Sequence, residues 1–454
     1  MDGSMQQTPT HHRARHVASA PRARRDVARL RLLVLVVALL VGGGATAQGE
    51  DAQAPTAPRA GALRSVAPSA APPGLPGTLV EVVREGRLSA ADVQRQTAPA
   101  FGAYGPVVIE NPVASYRIRF VTTGLDGSPT VVAAQAFLPV RPTDTGMPTF
   151  VFGSGTTGIG DTCAPSREFE LGRPLGQYRE YLMAYAGRGF ATIIPDYLGF
   201  EDPSRVQAYF HARSEGHVML DAVRAARQLV VGREGLPPLS GEVFVGGYSQ
   251  GGHAAFAAAD MAPSYAPDVS LSGVIGYGAT TNVGRLLLDG PYYAPYIAVA
   301  YDAVYGDAFD PADILAPRWL PTLEADTVSR CVDQAQTYYP FDADRMYTQR
   351  FADALRSGTL EQEFPGVHDV LEANRTGLTG HGVPSLVIQG SDDVIATTPT
   401  QERFVQELCA TGAPVVYVNI AGARHRHTKP AGFDPAVRWM KEIASGVASP
   451  TTCD

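Results

Sequence analysis

We predict the fold of this chain mainly from the stretch Val243-Phe244-Val245-Gly246-Gly247-Tyr248-Ser249-Gln250-Gly251. In it, an apolar run leads into a serine between Gly247 and Gly251, and an alanine-rich segment, 253–262, follows. A strand, a tight turn and a helix in that order, with small residues around the serine, are typical of a nucleophile elbow. Because glycine makes up 47 of 454 residues, the two glycines alone are also compatible with a plain turn. The flanking strand and helix favour Ser249 as a nucleophile.

Outward from this stretch, short apolar runs alternate with helical stretches from about Ser115 onwards. This alternation predicts β-α-β units and therefore an α/β fold with a mostly parallel sheet flanked by helices. The expected strands are 115–122, 131–138, 149–153, 191–195, 242–246, 271–277, 385–389 and 415–420. The expected helices include 176–187, 214–230, 250–261, 399–411 and 434–445.

The N-terminal segment has the features of an export signal. Five arginines from Arg22 to Arg31 precede the apolar run 32–41, and Ala45-Thr46-Ala47 supplies a cleavage site. The apolar run is shorter than the roughly 20 residues that a membrane-spanning helix needs, which disfavours an uncleaved anchor. We therefore predict a signal peptide over 1–47, secretion to an extracellular or periplasmic location, and no stable membrane insertion after cleavage.

Composition divides the remainder of the chain. Residues 48–74 are mostly alanine, proline and glycine with hardly any large apolar residue, so we expect a disordered linker. The α/β core is expected in 75–281 and 381–454. Between these parts, 282–380 has a different texture that is rich in tyrosine, and we expect it to be an inserted cap or lid domain. Insertions at the ligand end of a sheet usually shape access and specificity.

Charge and cysteine content narrow the class of protein further. The net charge of −8 becomes −13 when 1–47 is removed, because seven arginines and two aspartates leave with it. Clustered positive charge is what nucleic-acid partners need, so we expect none. Four cysteines in an exported chain predict two disulfides, for which three pairings exist. We favour Cys163 with Cys331 and Cys409 with Cys453, because the second bond would fasten the C-terminal tail to a late helix.

A serine hydroxyl needs a histidine to take its proton and a carboxylate to orient that histidine. After such an elbow the expected chain order is serine, acid, histidine. The expected strand 385–389 is followed by Asp392 and Asp393, of which we favour Asp393 as the acid and interpret Asp392 as a turn-capping side chain. The strand 415–420 is followed by His425 and His427, of which we favour His425 as the base. The simpler alternative makes these groups ordinary loop residues.

Negative charge that develops on a substrate oxygen needs backbone donors directed at it. The residue after the nucleophile, Gln250, is expected to supply one N–H group. The second is expected from Thr156, in the glycine-rich segment Gly153-Ser154-Gly155-Thr156-Thr157-Gly158 that follows strand 149–153. The structural alternative for this segment is a flexible turn. It does not predict a phosphate site, because the lysine of a P-loop is missing.

The other candidate groups indicate structural roles. His253 lies four residues after Ser249, and we expect it to pack or hydrogen-bond rather than to act in catalysis. Asp196 precedes the elbow, so it does not fit the expected order and is interpreted as structural. The histidines and cysteines lack metal-ligand spacing, so we expect no metal and no other cofactor.

Several motifs in the same order resemble one known family. They are Gly247-Tyr248-Ser249-Gln250-Gly251-Gly252-His253-Ala254-Ala255, Ser264-Tyr265-Ala266-Pro267, the segment from Gly155-Thr156-Thr157-Gly158 to Cys163-Ala164-Pro165-Ser166, Pro195-Asp196-Tyr197-Leu198-Gly199 and Leu220-Asp221-Ala222-Val223-Arg224-Ala225-Ala226. Over about residues 76–447 the chain is similar to the secretory lipase family of α/β-hydrolases. The resemblance implies an α/β-hydrolase fold with a cap, and an extracellular serine hydrolase that acts on acylglycerols or simpler carboxylic esters without a cofactor. It also implies Ser249, Asp393 and His425 as the triad, with Thr156 and Gln250 at the oxyanion positions.

The function that we predict is therefore a secreted serine carboxylic-ester hydrolase, a lipase or esterase with a role in lipid degradation. Its expected partners are small-molecule or lipid esters, with a lipid–water interface as a candidate place of action, and short or medium acyl chains are favoured. A secreted peptidase or amidase is the alternative, because the same triad also cleaves amides. A binding protein on an inactive hydrolase fold is the third interpretation.

Overall fold

The computed structural model describes residues 74–141, 146–231, 233 and 235–453. The predicted signal peptide, 1–47, and nearly all of the predicted linker, 48–74, lie outside these residues. The strands are β1 (Leu79–Leu88), β2 (Val113–Thr123), β3 (Pro129–Pro139), β4 (Met147–Gly153), β5 (Ala191–Pro195), β6 (Leu198–Glu201), β7 (Leu239–Tyr248), β8 (Gly273–Tyr277), β9 (Ser385–Gly390) and β10 (Val415–Ile420).

Nine of these strands form one sheet in the order β1-β2-β3-β5-β4-β7-β8-β9-β10. The strands from β5 to β10 in this order pair in parallel, whereas β1, β2 and β3 pair with their neighbours in antiparallel fashion. The predicted mostly parallel sheet is thus confirmed. Parallel strands carry their carboxyl ends to one edge, so the segments after β4, β7, β9 and β10 meet there.

Helices cover both faces of the sheet and also fill the long connection between β8 and β9. They are α1 (Ala90–Phe101), α2 (Tyr178–Gly187), α3 (Ala212–Val230), α4 (Gln250–Tyr265), α5 (Val283–Asp289), α6 (Ala294–Tyr305), α7 (Pro311–Ile314), α8 (Leu323–Ser329), α9 (Val332–Tyr338), α10 (Ala343–Met346), α11 (Gln349–Ser357), α12 (Leu360–Glu363), α13 (Pro365–Ala373), α14 (Thr398–Ala410) and α15 (Thr428–Ala444). None of the helices within the described residues is long and apolar enough to cross a membrane.

Alternation along the strands divides the core into two layers. Val245 of β7 packs in a cluster with apolar residues of α3 and α4. Its neighbour Phe244 points to the opposite face and packs in a cluster with residues of α2 and α15. Successive strand residues face opposite sides, and a parallel sheet buried on both sides accordingly has nearly continuous apolar strands. This explains why β7 reads as an unbroken apolar run.

The connection between β8 and β9 is helical from α5 to α13 and has its own buried cluster. Four tyrosines that marked this segment in the sequence, Tyr292, Tyr293, Tyr296 and Tyr301, are buried in it. Strand pairing within the described part of this connection is limited to an isolated bridge between Leu315 and Tyr347. The connection coincides with the segment for which a cap is expected.

Both disulfides have the pairing that we favoured. Cys163 is bonded to Cys331, which joins the segment after β4 to the helical connection. Cys409 at the end of α14 is bonded to Cys453, which fastens the C-terminal tail. The sequence interpretation is confirmed on this point.

Candidate active site

The elbow at Ser249 is built by close packing of glycines. Strand β7 ends at Tyr248, Ser249 has φ 55° and ψ −113°, and α4 begins at the next residue. Positive φ in a residue other than glycine is strained and persists only where the surroundings enforce it. A Cβ at Gly247 would lie 2.1 Å from the carbonyl oxygen of Gly251, and a Cβ at Gly251 would lie 1.9 Å from that of Gly153. The small residues around the serine are therefore required by backbone contact.

Three of the predicted site residues lie within hydrogen-bonding distance of one another. His425 Nε2 is 3.0 Å from Ser249 Oγ, and His425 Nδ1 is 2.7 Å from Asp393 Oδ2. The other oxygen of Asp393 accepts hydrogen bonds from the backbone N–H groups of Ile395 and Ala396, at 2.8 and 3.0 Å. These bonds fix the carboxylate, which is buried, against the imidazole. The arrangement can take a proton from the serine and stabilise the resulting imidazolium.

The rival residues of each pair have different surroundings. Asp392 is exposed, and its carboxylate accepts a hydrogen bond from Ser391 Oγ at 3.0 Å. The ring of His427 lies 5.9 Å from that of Tyr104, and burial lowers the pKa of His427, with nearby arginines adding to this effect. Neither Asp392 nor His427 contacts the serine hydroxyl, although His427 lines the cavity in front of it.

The two residues expected to bind an oxyanion lie on either side of the elbow. Gln250 is the first residue of α4, where backbone N–H groups have no partner inside the helix. Thr156 is buried, lines the same cavity as Ser249, and its Oγ1 is 2.6 Å from the hydroxyl of Tyr209. The preceding N–H group, that of Gly155, already donates to Tyr178 Oη at 2.8 Å. The role of Thr156 and Gln250 as oxyanion donors stays a prediction.

A cavity of about 520 Å³ opens in front of Ser249. Its wall combines aromatic and polar groups, among them Tyr178, Tyr248, Tyr293, Arg426 and Lys429. A larger cavity of about 840 Å³ lies between the segment 198–208 and α6, and none of the three residues of the hydrogen-bonded chain lines it. Because the chemistry needs the serine hydroxyl, the smaller cavity is the candidate substrate site.

Lys429 is a charged group in this wall that the sequence did not predict. Its ammonium donates to the carbonyl oxygen of Gly176 at 2.6 Å and lies 4.1 Å from the ring centroid of Tyr178. The side chain is buried, and burial lowers the pKa of Lys429 to about 8, against the opposing effect of Glu168. No local sequence signal marks such a lysine, because its burial depends on tyrosines that are distant in the chain.

His253 and Asp196, which we interpreted as structural residues, both have hydrogen-bond partners in the structure. His253 is buried and hydrogen-bonded, with Nδ1 2.6 Å from Glu215 Oε2 and Nε2 2.7 Å from the carbonyl oxygen of Asn374. Asp196 accepts hydrogen bonds from the backbone N–H and hydroxyl of Ser166, and burial raises the pKa of Asp196 to about 7. Both side chains are therefore hydrogen-bonded to groups other than the Ser249 hydroxyl.

Comparison with known proteins supplies the family. The model of the secretory lipase family matches residues 177–450, which is more than half of the chain. The chain belongs to the secretory lipase family. This membership places the chain among the ester hydrolases, in agreement with the resemblance that its motifs carry.

The relatives of this chain are named as lipases and esterases. Lipase A of Moesziomyces aphidis is 23% identical over 76% of this chain and 75% of the relative. A probable trichothecene esterase of Stachybotrys chartarum is 25% identical over 74% of this chain and 70% of the relative. A probable inactive lipase of Mycobacterium tuberculosis is 23% identical, with 75% of each chain covered.

Solved structures show the fold. The cell wall degrading esterase LipA from Xanthomonas oryzae superposes with a TM-score of 0.66 at 18% identity, covering 82% of this chain and 97% of that one. Candida antarctica lipase A superposes with a TM-score of 0.63 at 19% identity, covering 84% of each chain. The predicted α/β-hydrolase fold is thereby confirmed.

Proposed function

We propose that this protein is a secreted carboxylic-ester hydrolase that works through an acyl-enzyme on Ser249. The observation that carries the proposal is the unbroken chain of hydrogen bonds from Ser249 Oγ through His425 to Asp393, at 3.0 and 2.7 Å. This chain ends at a serine that lines a cavity of about 520 Å³. An activated nucleophile beside a space for an acyl group is what ester cleavage requires.

In the proposed reaction His425 takes the proton of Ser249 while the serine oxygen attacks the ester carbonyl carbon. The tetrahedral oxyanion is stabilised by the N–H groups of Gln250 and Thr156. His425 then gives the proton to the departing alcohol, which leaves an acyl-enzyme. Water, activated by the same imidazole, attacks the acyl carbon, and the carboxylic acid leaves as Ser249 regains its proton. Asp393 holds the imidazole in the required tautomer throughout.

The cavity favours compact substrates. Its volume and its aromatic and polar wall support short or medium acyl chains over long aliphatic ones. Acylglycerols and simpler carboxylic esters, at a lipid–water interface or free in solution, are the proposed substrate class. The names of the relatives, lipase and trichothecene esterase, support the same range.

The proposed organisation accompanies this function. It consists of a signal peptide over 1–47, a linker over 48–74, a hydrolase core over 75–281 and 381–454, and a cap over 282–380. The separate buried cluster of the helical connection supports the cap as a distinct layer. Secretion is supported by the export features of the N-terminal segment and by the family to which the chain belongs.

The test uses a panel of p-nitrophenyl esters from acetate to palmitate. Ser249→Ala is expected to lower kcat by about 10⁴-fold or more, because the nucleophile is lost. Asp393→Asn is expected to lower kcat by a similar order, because an amide stabilises the wrong tautomer of His425. Asp392→Asn is the matched control, since the exposed Asp392 does not contact the imidazole, and it is expected to keep nearly full activity.

Four outcomes would overturn the proposal. Substantial esterase activity in Ser249→Ala would show that Ser249 is not the nucleophile. Loss of activity in Asp392→Asn alone would show that Asp392, rather than Asp393, is the acid. Faster release from aminoacyl amides than from every ester would make the protein an amidase. A fluorophosphonate probe that fails to label Ser249 would favour an inactive binding protein, as the name of the mycobacterial relative suggests for that protein.

A further inference from the structure

A buried group of polar side chains lies directly beneath the elbow and is not part of the triad. Glu215 of α3 and His253 of α4 are both fully buried, and their Oε2 and Nδ1 atoms are 2.6 Å apart. The other carboxylate oxygen of Glu215 accepts hydrogen bonds from the Gln250 side-chain amide at 2.7 Å and from the Phe210 N–H at 3.0 Å. Neither Glu215 nor His253 lines the cavity at Ser249, so neither contacts substrate there.

Hydrogen-bond geometry assigns one proton to the space between these two side chains. Nε2 of His253 faces the carbonyl oxygen of Asn374 at 2.7 Å, and a carbonyl oxygen only accepts, so Nε2 carries hydrogen. The carboxylate of Glu215 receives donors at its other oxygen and is complete when Nδ1 also donates. One proton is therefore shared between His253 Nδ1 and Glu215 Oε2. It lies either on the imidazole, which gives an imidazolium and a carboxylate, or on the carboxyl group.

Such a pair orients the side chains around it more than it stabilises the folded protein. A buried ion pair is often no more stabilising than well-packed apolar side chains of the same volume. Its directional bonds, however, hold each partner in one orientation. Here the orientation fixed is that of the Gln250 side chain, which belongs to the residue immediately after the strained Ser249.

The pair also connects the elbow to the helical segment between β8 and β9. Asn374, which follows α13 of that segment, receives the His253 bond on its carbonyl oxygen. The Asn374 amide donates to Tyr305 Oη at 2.7 Å, and its side-chain oxygen accepts from the N–H of Ala212 at 2.9 Å. One continuous network thus runs from the helical segment through His253 and Glu215 to Gln250.

We propose that Glu215 and His253 are positioning residues for ester hydrolysis: they hold Gln250, and through it the strained turn at Ser249, in the geometry needed for oxyanion binding. This inference rests on the proposed function. The surroundings must enforce the positive φ of Ser249. The bond from Glu215 to Gln250 is the side-chain contact that restrains the turn from below.

The test is a double-mutant cycle with Glu215→Gln, Gln250→Ala and the double variant. Gln250→Ala removes the restrained side chain and keeps the backbone N–H group. We expect Glu215→Gln to lower kcat for p-nitrophenyl butyrate on the order of 10- to 100-fold with little change in KM. Because both residues act through one contact, the double variant is expected to be no slower than the slower single variant.

Asp221→Asn is the matched control. Asp221 is on the same helix, is equally buried, and accepts hydrogen bonds from Thr122 Oγ1, Tyr265 Oη and Arg224 Nη1 at 2.8, 2.7 and 3.0 Å. It faces away from the elbow, so its replacement is expected to lower the melting temperature without the selective loss of kcat. His253→Gln is a second variant, because the two N–H donors of a glutamine amide share one nitrogen and cannot replace donors on the two separate ring nitrogens that face Glu215 and Asn374.

Several results would overturn the inference while leaving the proposed function intact. They are an unchanged kcat in folded Glu215→Gln, losses that add fully in the double variant, and an equal loss of kcat in Asp221→Asn. Failure of both Glu215→Gln and His253→Gln to fold would assign the pair to folding and would also overturn it. An unmodified protein without esterase activity would instead contradict the proposed function itself.

Discussion

At the scale of single residues, Lys429 is expected to make the free energy of unfolding depend on pH in a way that can be measured. Burial lowers the pKa of Lys429 from 10.5 to about 8 in the folded protein. Between these values the unfolded chain binds more protons than the folded protein, so the free energy of unfolding contributed by this group rises with pH. Below pH 8 the folded protein bears the full cost of a buried ammonium. The neighbouring tyrosines do not titrate in this window, because burial raises the pKa of Tyr178, Tyr181 and Tyr248 well above its usual value.

We therefore compare the protein with Lys429→Met by urea unfolding from pH 7 to pH 10.5. The unmodified protein is expected to gain about 3 kcal/mol relative to the variant across pH 8 to 10.5. Lys441→Met is the control, because the side chain of Lys441 is 44% exposed and its replacement should leave the pH profile parallel to that of the unmodified protein. Parallel profiles for Lys429→Met as well would contradict the lowered pKa.

The same scale shows what the sequence can predict about a site. Ser249, Asp393 and His425 could be proposed as a triad from the sequence, because each follows an apolar run that predicts a strand and their order along the chain is informative. The structure places the three side chains within hydrogen-bonding distance of one another. Lys429 and Glu215 could not be proposed in this way, because a charged residue in a helical stretch has the pattern of a solvent-facing one. Their burial is decided by partners from other elements, which local sequence does not contain.

At the scale of elements, the elbow depends on the contact between the first turn of α4 and the end of β4. In an ordinary helix, glycine to alanine stabilises by about 1 kcal/mol. At Gly251 the added Cβ would lie 1.9 Å from the carbonyl oxygen of Gly153, so the strand and helix must separate. We expect Gly251→Ala to lose about 1 to 3 kcal/mol of stability and most fluorophosphonate labelling of Ser249.

Gly241→Ala is the comparison for this element, because no atom lies within 4 Å of a Cβ built at Gly241 of β7. Thermal melting and labelling of the two variants side by side measure the effect. Normal labelling in Gly251→Ala would mean that the elbow tolerates separation from β4 and does not depend on this contact.

Elements differed in how well their sequence predicted them. Strands such as β5 (Ala191–Pro195) and β10 (Val415–Ile420) were predicted with their observed bounds, because continuous apolar runs mark buried parallel strands. Strand β1 was missed. It is an edge strand in which four of ten residues are charged, and its half-exposed pattern lacks a long apolar run. Helix α15 begins at Thr428, whereas the predicted helix begins at 434, just before Pro435. The observed helix contains this proline in its interior.

At the scale of the whole molecule, the cavity at Ser249 is walled by groups that are far apart in sequence. Tyr104 follows α1, Tyr178 begins α2, Val332 begins α9 and Lys429 lies in α15. The sequence predicted the sheet edge at which the candidate site lies, since that follows from strand order. It did not predict the shape of the cavity, which depends on how the segment between β8 and β9 packs on the loops of the core.

The disulfide between Cys163 and Cys331 joins these two parts beside the predicted oxyanion segment. Next to it, the N–H of Val332 donates to the carbonyl oxygen of Thr157 at 2.8 Å. The bond closes a loop of 168 residues, and the bond between Cys409 and Cys453 closes one of 44. Loop entropy then predicts losses of about 5 and 4 kcal/mol when each pair is replaced by alanine, so stability alone barely separates the two.

The two variants should differ in kcat/KM, because only the disulfide between Cys163 and Cys331 adjoins the cavity. The variant without Cys163 and Cys331 is expected to lose about tenfold or more in kcat/KM at temperatures where it is still folded, since Thr156 is then less well held. The variant without Cys409 and Cys453 is expected to keep the kcat/KM of the unmodified protein, because that bond fastens only the C-terminal tail. Urea unfolding and p-nitrophenyl butyrate hydrolysis on both variants measure the two effects. Equal losses of kcat/KM would mean that global stability, rather than the seating of the helical segment on the core, governs activity.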